Sequence, residues 1–320
     1  MSCQNNTSLA VVIHAEEEFD WEKGFFRTNT SVSHGKELIA FCEQILAMGV
    51  KITFAIDYAF ISSEQGKQVI SHFLPLINKS VEFSAHLHPW VNPPFDTDTT
   101  EETEYFSYPG NLTKTNEQAK LEALSSAIHK ITGQQPTTYL AGRYGTGKNT
   151  AEILKKLGYS TDLSITPFLN LSDEQGPDFS CYNNNVFTEN GIVNFPHTSG
   201  FVSYFPIVSH HLNKEPKYFK LFNDAVLGKI LLKLMGVKRY RLSPEGNGFQ
   251  AMKKLTTSLT SANTNNLMLS FHSPSVKVGL TPYVTTDIEL NAFYNNIFDY
   301  ITWFKDEISN NFILAGSVRK

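Results

Sequence analysis

Metal-binding and acid/base side chains stand together in four short segments: His14-Ala15-Glu16-Glu17-Glu18, His86-Leu87-His88-Pro89, Gly142-Arg143-Tyr144-Gly145 and Phe271-His272-Ser273-Pro274. Alternate side chains of an extended strand share one side, so His86 and His88 would present both imidazoles together. A carboxylate from a neighbouring strand, for which Glu16 is the candidate, would complete a three-ligand set for zinc or a similar divalent ion. The fourth position would then stay open to water.

Something must bring these segments together, and each lies at or just after an apolar run of strand length. Residues 9–13, 51–56, 81–85, 137–141 and 267–271 predict strands, with a terminal one over 311–315. Helical spacing fills the gaps. Leu38, Phe41, Cys42, Ile45 and Leu46 predict a helix capped by Ser33 and stopped by Gly49. Val69, Ile70, Phe73, Leu74 and Ile77 predict a second, and residues 116–131 a third with Gly133 just beyond it. Further helices are predicted over 150–157, closed by Gly158, and over 287–308. Between about 167 and 245 the pattern loosens around a helix over 218–235, which predicts an insertion over one rim. The β-α-β-α order predicts a parallel sheet with right-handed crossovers, closed as a barrel or open and doubly wound. In both, the four segments fall at C-terminal strand ends, the edge where such folds hold their ligands. No repeat at a fixed period interrupts this order.

Composition narrows the partners. The 320 residues, 41% hydrophobic and 18% charged, supply ample material for a core. A net charge of −4, from 27 basic and 31 acidic residues, gives no global reason to expect nucleic acid or an anionic membrane as a partner, and either would need a local patch. Cys3, Cys42 and Cys181 are odd in number and far apart, which predicts reduced thiols rather than a disulfide framework or a cysteine zinc knuckle. The N-terminus lacks a basic region and residues 9–13 are too short for a signal core, so secretion by that route is not expected. No run reaches the ~20 apolar residues of a membrane span. A soluble cytoplasmic protein is the expectation, with oligomeric state left open.

The four segments resemble the motifs of the polysaccharide deacetylases of the NodB-homology group, carbohydrate esterase family 4, and the likeness spans most of the chain. A subgroup whose first motif reads Asp-x-Glu-Glu-Glu-Phe-Asp-Trp is similar to His14-Ala15-Glu16-Glu17-Glu18-Phe19-Asp20-Trp21. The family's metal-binding His…His-Pro motif resembles Ala85-His86-Leu87-His88-Pro89-Trp90-Val91-Asn92-Pro93-Pro94. Tyr139-Leu140-Ala141-Gly142-Arg143-Tyr144-Gly145 is similar to the third motif, and Ser270-Phe271-His272-Ser273-Pro274-Ser275 with Gly279, Pro282 and Tyr283 to the last. Asp162-Leu163-Ser164 and Leu242-Ser243-Pro244-Glu245 also match in register. The resemblance implies a distorted (β/α)₇ TIM-like barrel forming one domain over residues 1–320. It implies removal of an N- or O-linked acetyl group from a saccharide in cell-surface polysaccharide metabolism. By position, Glu16, His86 and His88 would hold a divalent metal, zinc, while His272 would be the general acid and Arg143 would help order the site.

This sequence departs from the pattern twice. The family's first-motif Asp, its general base, aligns with His14, and the Arg that opens the third motif aligns with Leu140. In the family those two pair, so losing both removes a charge pair instead of stranding one member. A neutral His14 can accept a proton, a role worth ~10²–10⁴-fold in rate. As a fourth ligand it would instead close the open position and leave a non-catalytic saccharide-binding protein on the same fold. Glu17 is a third candidate base, although strand alternation turns it away from His14 and Glu16. We rank His14 as base first.

Other features have plainer readings. Residues 142–149 nearly spell a P-loop, but Asn149 stands where Ser or Thr would meet magnesium and no later strand supplies the second contact, so nucleotide binding is not expected. In residues 218–235, Leu221, Phe222, Val226, Leu227, Ile230, Leu231 and Leu234 stand beside Lys220, Lys229 and Lys233. They read as an outer helix or lid packed on the barrel, ahead of a membrane-surface helix. His197, His210 and His211 read as surface histidines without a role. Trp21, Trp90, Tyr144 and Tyr283 stand beside the motifs, where aromatic faces either stack on sugar rings or fill the rim.

Overall fold

The computed structural model describes residues 7–95 and 103–319; the N-terminal segment with Cys3 lies outside the described residues. Eleven strands are present among the described residues: β1 (Ser8–Ala15), β2 (Ile52–Ile56), β3 (Val81–Leu87), β4 (Thr138–Ala141), β5 (Thr161–Asp162), β6 (Phe187–Glu189), β7 (Ile192–Asn194), β8 (Ser199–Val202), β9 (Lys238–Arg241), β10 (Asn266–His272) and β11 (Phe312–Ile313). The main sheet runs β10-β1-β2-β3-β4-β5-β7-β6, with β11 against β1. Every pair in it is parallel except β6 with β7. The predicted α/β barrel of parallel strands is therefore present, as a curled half-barrel.

Burial on both faces explains why β1 reads as a continuous apolar run rather than an alternating one. Leu9, Val11 and Ile13 pack outward under the helices. Ala10 and Val12 pack inward with Ala55, Leu140 and Met268, in the hollow of the curl. Residues 198 and 242 lean on the β10 edge: the Leu242 N–H donates to the Thr198 carbonyl at 2.8 Å and the Ser270 N–H to the Leu242 carbonyl at 3.1 Å. These bonds attach the antiparallel β8–β9 ribbon to the β10 edge of the sheet.

Helices α1 (Gly35–Ala47), α2 (Tyr58–Ser62), α3 (Glu64–Phe73), α4 (Lys114–Thr132), α5 (Thr150–Lys156), α6 (Pro206–Lys214), α7 (Pro216–Asp224), α8 (Val226–Leu234), α9 (Phe249–Ser261) and α10 (Asp287–Glu307) complete the described fold. Gly133 ends α4 at φ 72°, the left-handed conformation that makes glycine the ordinary helix stop. Two expectations need correction. Ser33 does not cap α1: its hydroxyl accepts from Lys277 Nζ at 3.3 Å, and the helix starts after His34. The helix predicted over 218–235 is two helices, because Ala225 is extended at φ −102° and ψ 135°. The second folds back so closely that a Cβ on Gly228 would collide with the Phe222 carbonyl, an approach that only glycine permits.

Candidate active site

The inward row of β1 ends at His14. Parallel register sets His14 beside His272 of β10 on one side and Ala55 of β2 on the other. The His14 ring lies 4.8 Å from that of His272, 5.2 Å from His86 and 5.5 Å from His197, centroid to centroid. Three strand ends and one long insertion thus meet at a single imidazole.

Glu16, His86 and His88 converge beside it. The His86 Nδ1–H donates to the Leu140 carbonyl at 3.0 Å, which fixes the tautomer and leaves Nε2 as a lone pair 3.4 Å from Glu16 Oε2. His88 Nδ1 is held by Glu17 Oε2 at 2.9 Å and lies 3.5 Å from Asp57 Oδ2, while its Nε2 points to Glu16 Oε2 at 3.7 Å. A carboxylate or carbonyl on one ring nitrogen, with the second turned to a shared site, is how proteins orient histidine toward a metal. Burial opposes a charge on His88, but Glu17, Asp57 and Glu16 hold it well above the usual histidine range. Glu17, turned away from His14 as strand alternation requires, thus supports His88; it also accepts from Trp90 Nε1 at 2.8 Å. The surrounding loops are pinned as well. Ser273 Oγ accepts the Glu16 N–H at 3.2 Å, and Lys120 Nζ donates to the carbonyls of Pro89, Asn92 and Pro94 at 2.6–3.0 Å.

Charge is distributed unevenly over this cluster. Burial, and then the neighbours His272, His86, His197 and Arg241, hold His14 well below the usual histidine range, so it stands neutral. Its Nε2 is buried without a hydrogen-bond partner among the described residues. Burial also opposes a charge on His272, but Glu245 outweighs it and lifts that histidine to about 9. Glu245 Oε2 lies 2.8 Å from His272 Nδ1, and its Oε1 accepts from the His272 N–H at 3.0 Å and Ser275 Oγ at 2.6 Å. Burial would raise Glu17, yet His88 and Asp57 bring it down to about 2. Asp57 goes the other way, raised by burial and by the Glu17 charge.

A cavity of about 230 Å³ opens onto His14, Glu16, His86, His88 and His272, with Phe19 and Trp21 on its wall. The donor set of one carboxylate and two oriented imidazoles, with a third unpartnered imidazole nitrogen next to it, could hold a divalent metal ion. Among the described residues, two clusters have ligand atoms within 4.8 Å of one another: His14 with Glu16 and His86, and Glu17 with Asp57 and His88.

The remaining candidates are spread around this centre. Arg143 lines the cavity, but its guanidinium pairs with Glu174 at 2.6 Å and Glu104 at 3.2 Å, donates to Ser107 Oγ and lies over the Tyr108 ring. Trp21 is half exposed, and Tyr283 runs parallel to the His272 ring at 6.4 Å. Trp90 is buried and stacked on His88 at 4.3 Å. The Tyr144 hydroxyl accepts from Arg241. The P-loop-like segment is filled by protein: a Cβ on Gly110 would collide with the Gly147 nitrogen, so that cradle is closed to a phosphate.

His197 corrects the sequence reading. It is not a surface residue but 2% exposed, with Nδ1 3.0 Å from Ser270 Oγ, because the insertion passes under the rim before turning outward. Asp57 and Arg241 were also missed. Asp57 follows β2 as a helix cap for α2, an ordinary role that hides its contact with His88. Glu245 stood in a matching stretch, and that was its one sequence signal.

No family model matches the chain, and no curated protein matches it in sequence. Solved structures do match. A Mycobacterium smegmatis protein described as a polysaccharide deacetylase superposes with TM-score 0.51 at 12% identity, covering 98% of this chain and 89% of that one. Puue allantoinase gives TM-score 0.52 at 13% identity over 98% and 89%. A Pseudomonas aeruginosa PAO1 protein described as a polysaccharide deacetylase gives 0.52 at 14% over 97% and 89%. Likeness at such identities speaks to architecture alone, and by it the chain shares the fold of these polysaccharide deacetylase and allantoinase structures.

Proposed function

We propose that this chain is a metal-dependent deacetylase that hydrolyses an N- or O-linked acetyl group of a saccharide. The observation that carries this reading is the convergence of His86 Nε2 and His88 Nε2 on one Glu16 oxygen, with both Nδ1 atoms tied elsewhere. Glu16, His86 and His88 would hold the ion, zinc being the best match to this donor set. Such an ion, when bound, supplies Lewis-acid polarisation of a carbonyl and a lowered water pKa.

The protein's own groups then divide the proton transfers. Water adds to the acetyl carbonyl as neutral His14 takes one of its protons. The bond to nitrogen or oxygen breaks as His272, charged through Glu245, gives a proton to the departing amine or alkoxide, and acetate is released. Arg143 would order the rim, and Trp21, Tyr144 and Tyr283 would meet the sugar. Trp90 would serve from beneath, through His88. We read residues 167–245 as a rim insertion of a single catalytic domain. Cysteine usage favours the cytoplasm, and a cell-surface polysaccharide intermediate fits as the substrate. No helix among the described residues is long and apolar enough to cross a membrane.

A second reading is favoured by one specific observation. His14 Nε2 is buried and unpartnered, and its ring lies within ligand distance of the Glu16 and His86 donors, so it suits a fourth ligand in a non-catalytic saccharide-binding site. Metal analysis together with acetate release from acetylated oligosaccharides separates the two. A deacetylase binds about one equivalent of zinc and releases acetate, and His14→Asp keeps or raises that activity. Bound metal with no acetate released across a broad panel overturns the enzyme reading.

A further inference from the structure

The helical corner α6–α8 turns its apolar side to water. Leu221, Val226, Leu227, Ile230, Leu231 and Leu234 are between 48% and 77% exposed. Spacing accounts for this. Positions 226, 230 and 234, with 227 and 231, fall on one side of α8, whereas Gly228 and Leu232 fall on the other and are the two buried residues of that helix. Leu232 packs with Phe168, Phe201 and Leu212. The stripe of α8 that sequence reading assigned to the barrel therefore faces outward. Tyr204, Phe205 and Ile207, in the turn leading to α6 and at its start, extend the same apolar exposure.

Charge says what covers it. Residues 204–238 hold six lysines against Glu215 and Asp224, in a chain whose net charge is −4. Lys229 and Lys233 sit one turn apart on α8, between its buried and its exposed apolar sides. Long lysine stems lie along apolar surface while the ammonium reaches outward. A groove of about 660 Å³, lined by Tyr204, Lys238, Lys253 and Lys254 among others, continues the basic surface.

We propose that α6–α8 is a docking element for an anionic phospholipid bilayer surface, with its leucine and isoleucine side chains at the acyl boundary and its lysines among the headgroups. Interfacial helices bind through apolar area and attraction to anionic lipid together, and both are present here. This attachment is independent of the metal site and goes beyond the deacetylase reading.

The test is vesicle co-sedimentation of the full chain. Vesicles of phosphatidylcholine with about 30% phosphatidylglycerol should sediment the protein at least about tenfold more strongly than phosphatidylcholine alone, and about 0.5 M salt should weaken the binding. The variant Leu227→Asp/Leu231→Asp/Leu234→Asp, altered at exposed positions, should lose at least about tenfold. A second variant, Lys229→Glu/Lys233→Glu, leaves every apolar side chain in place and should also lose at least about tenfold, since each lysine near an anionic surface contributes about fivefold. Equal sedimentation of wild type with both vesicle types, or no loss in the lysine variant, overturns the proposal. So does a wild-type dimer by light scattering that the leucine variant converts to monomer while wild type ignores the anionic vesicles, because the face is then a contact between copies.

Discussion

At the barrel rim, Glu16, Glu17, His86 and His88 are each less than a tenth exposed, and their contacts with Leu140, Asp57, Trp90 and Ser273 hold them in place. On the helical corner the situation is inverted: leucine, isoleucine and valine stand in water with little protein around them. The same chemistry explains both. A polar group withdrawn from water costs free energy unless it is hydrogen-bonded, so most polar groups of the rim are tied in networks that hold its side chains in fixed orientations, His14 Nε2 being an exception. An apolar stripe left in water gives up the stabilisation that burial would supply, and a contiguous one marks a surface meant to meet another. One region holds its side chains in place through contacts within the chain; the other presents its side chains outward.

The sharpest way to break the comparison is at the proton donor. His272→Ala should lower kcat by ~10²–10⁴-fold while the zinc content of the protein is unchanged, since Glu16, His86 and His88 remain. Acetate release and metal analysis on one preparation check this, and surviving activity would remove His272 from the acid role.

Stability should separate the two regions of α8 next. Leu232→Ala should cost about 2–5 kcal/mol in denaturant unfolding, because its side chain fills the packing with Phe201 and Leu212. Leu227→Ser should change stability by no more than about 0.5 kcal/mol, because that side chain already lies in water. Equal costs at the two positions would mean that the outer side of α8 is covered by the chain itself.

The smallest effect is a displacement in pH. His272 acts when protonated, so kcat/KM should fall as pH rises through its value of about 9. In Glu245→Gln the carboxylate that chiefly offsets burial is gone, Glu16 remains as the weaker one, and the fall should begin at lower pH. A pH profile of both proteins reads the shift; an unmoved alkaline limb would detach Glu245 from His272.

Local pattern made much of this legible. The apolar runs around residues 9–13, 81–85 and 267–271 correspond to β1, β3 and β10, and the polar residues just beyond them stand at the strand ends. The separation of His86 from His88 by one residue was enough to set both rings on one side, 4.3 Å apart. What stayed hidden has a common cause. Asp57 looked like a helix cap, His197 lay in sequence with no period, and Glu245 came 27 residues before the histidine it charges. The outward stripe of α8 was hidden differently, since an amphipathic pattern states that one side is apolar without stating which way it turns.

The sequence by itself determined which side chains are available and which strand side they occupy, because alternation along a strand is a property of neighbouring residues. Only the tertiary structure decided which nitrogen of each histidine is free, which carboxylate charges His272, and that the lysine-edged stripe of α8 faces solvent. Those outcomes depend on partners tens of residues away along the chain, and pairing across such distances is fixed by the packing of the whole barrel rather than by any local period.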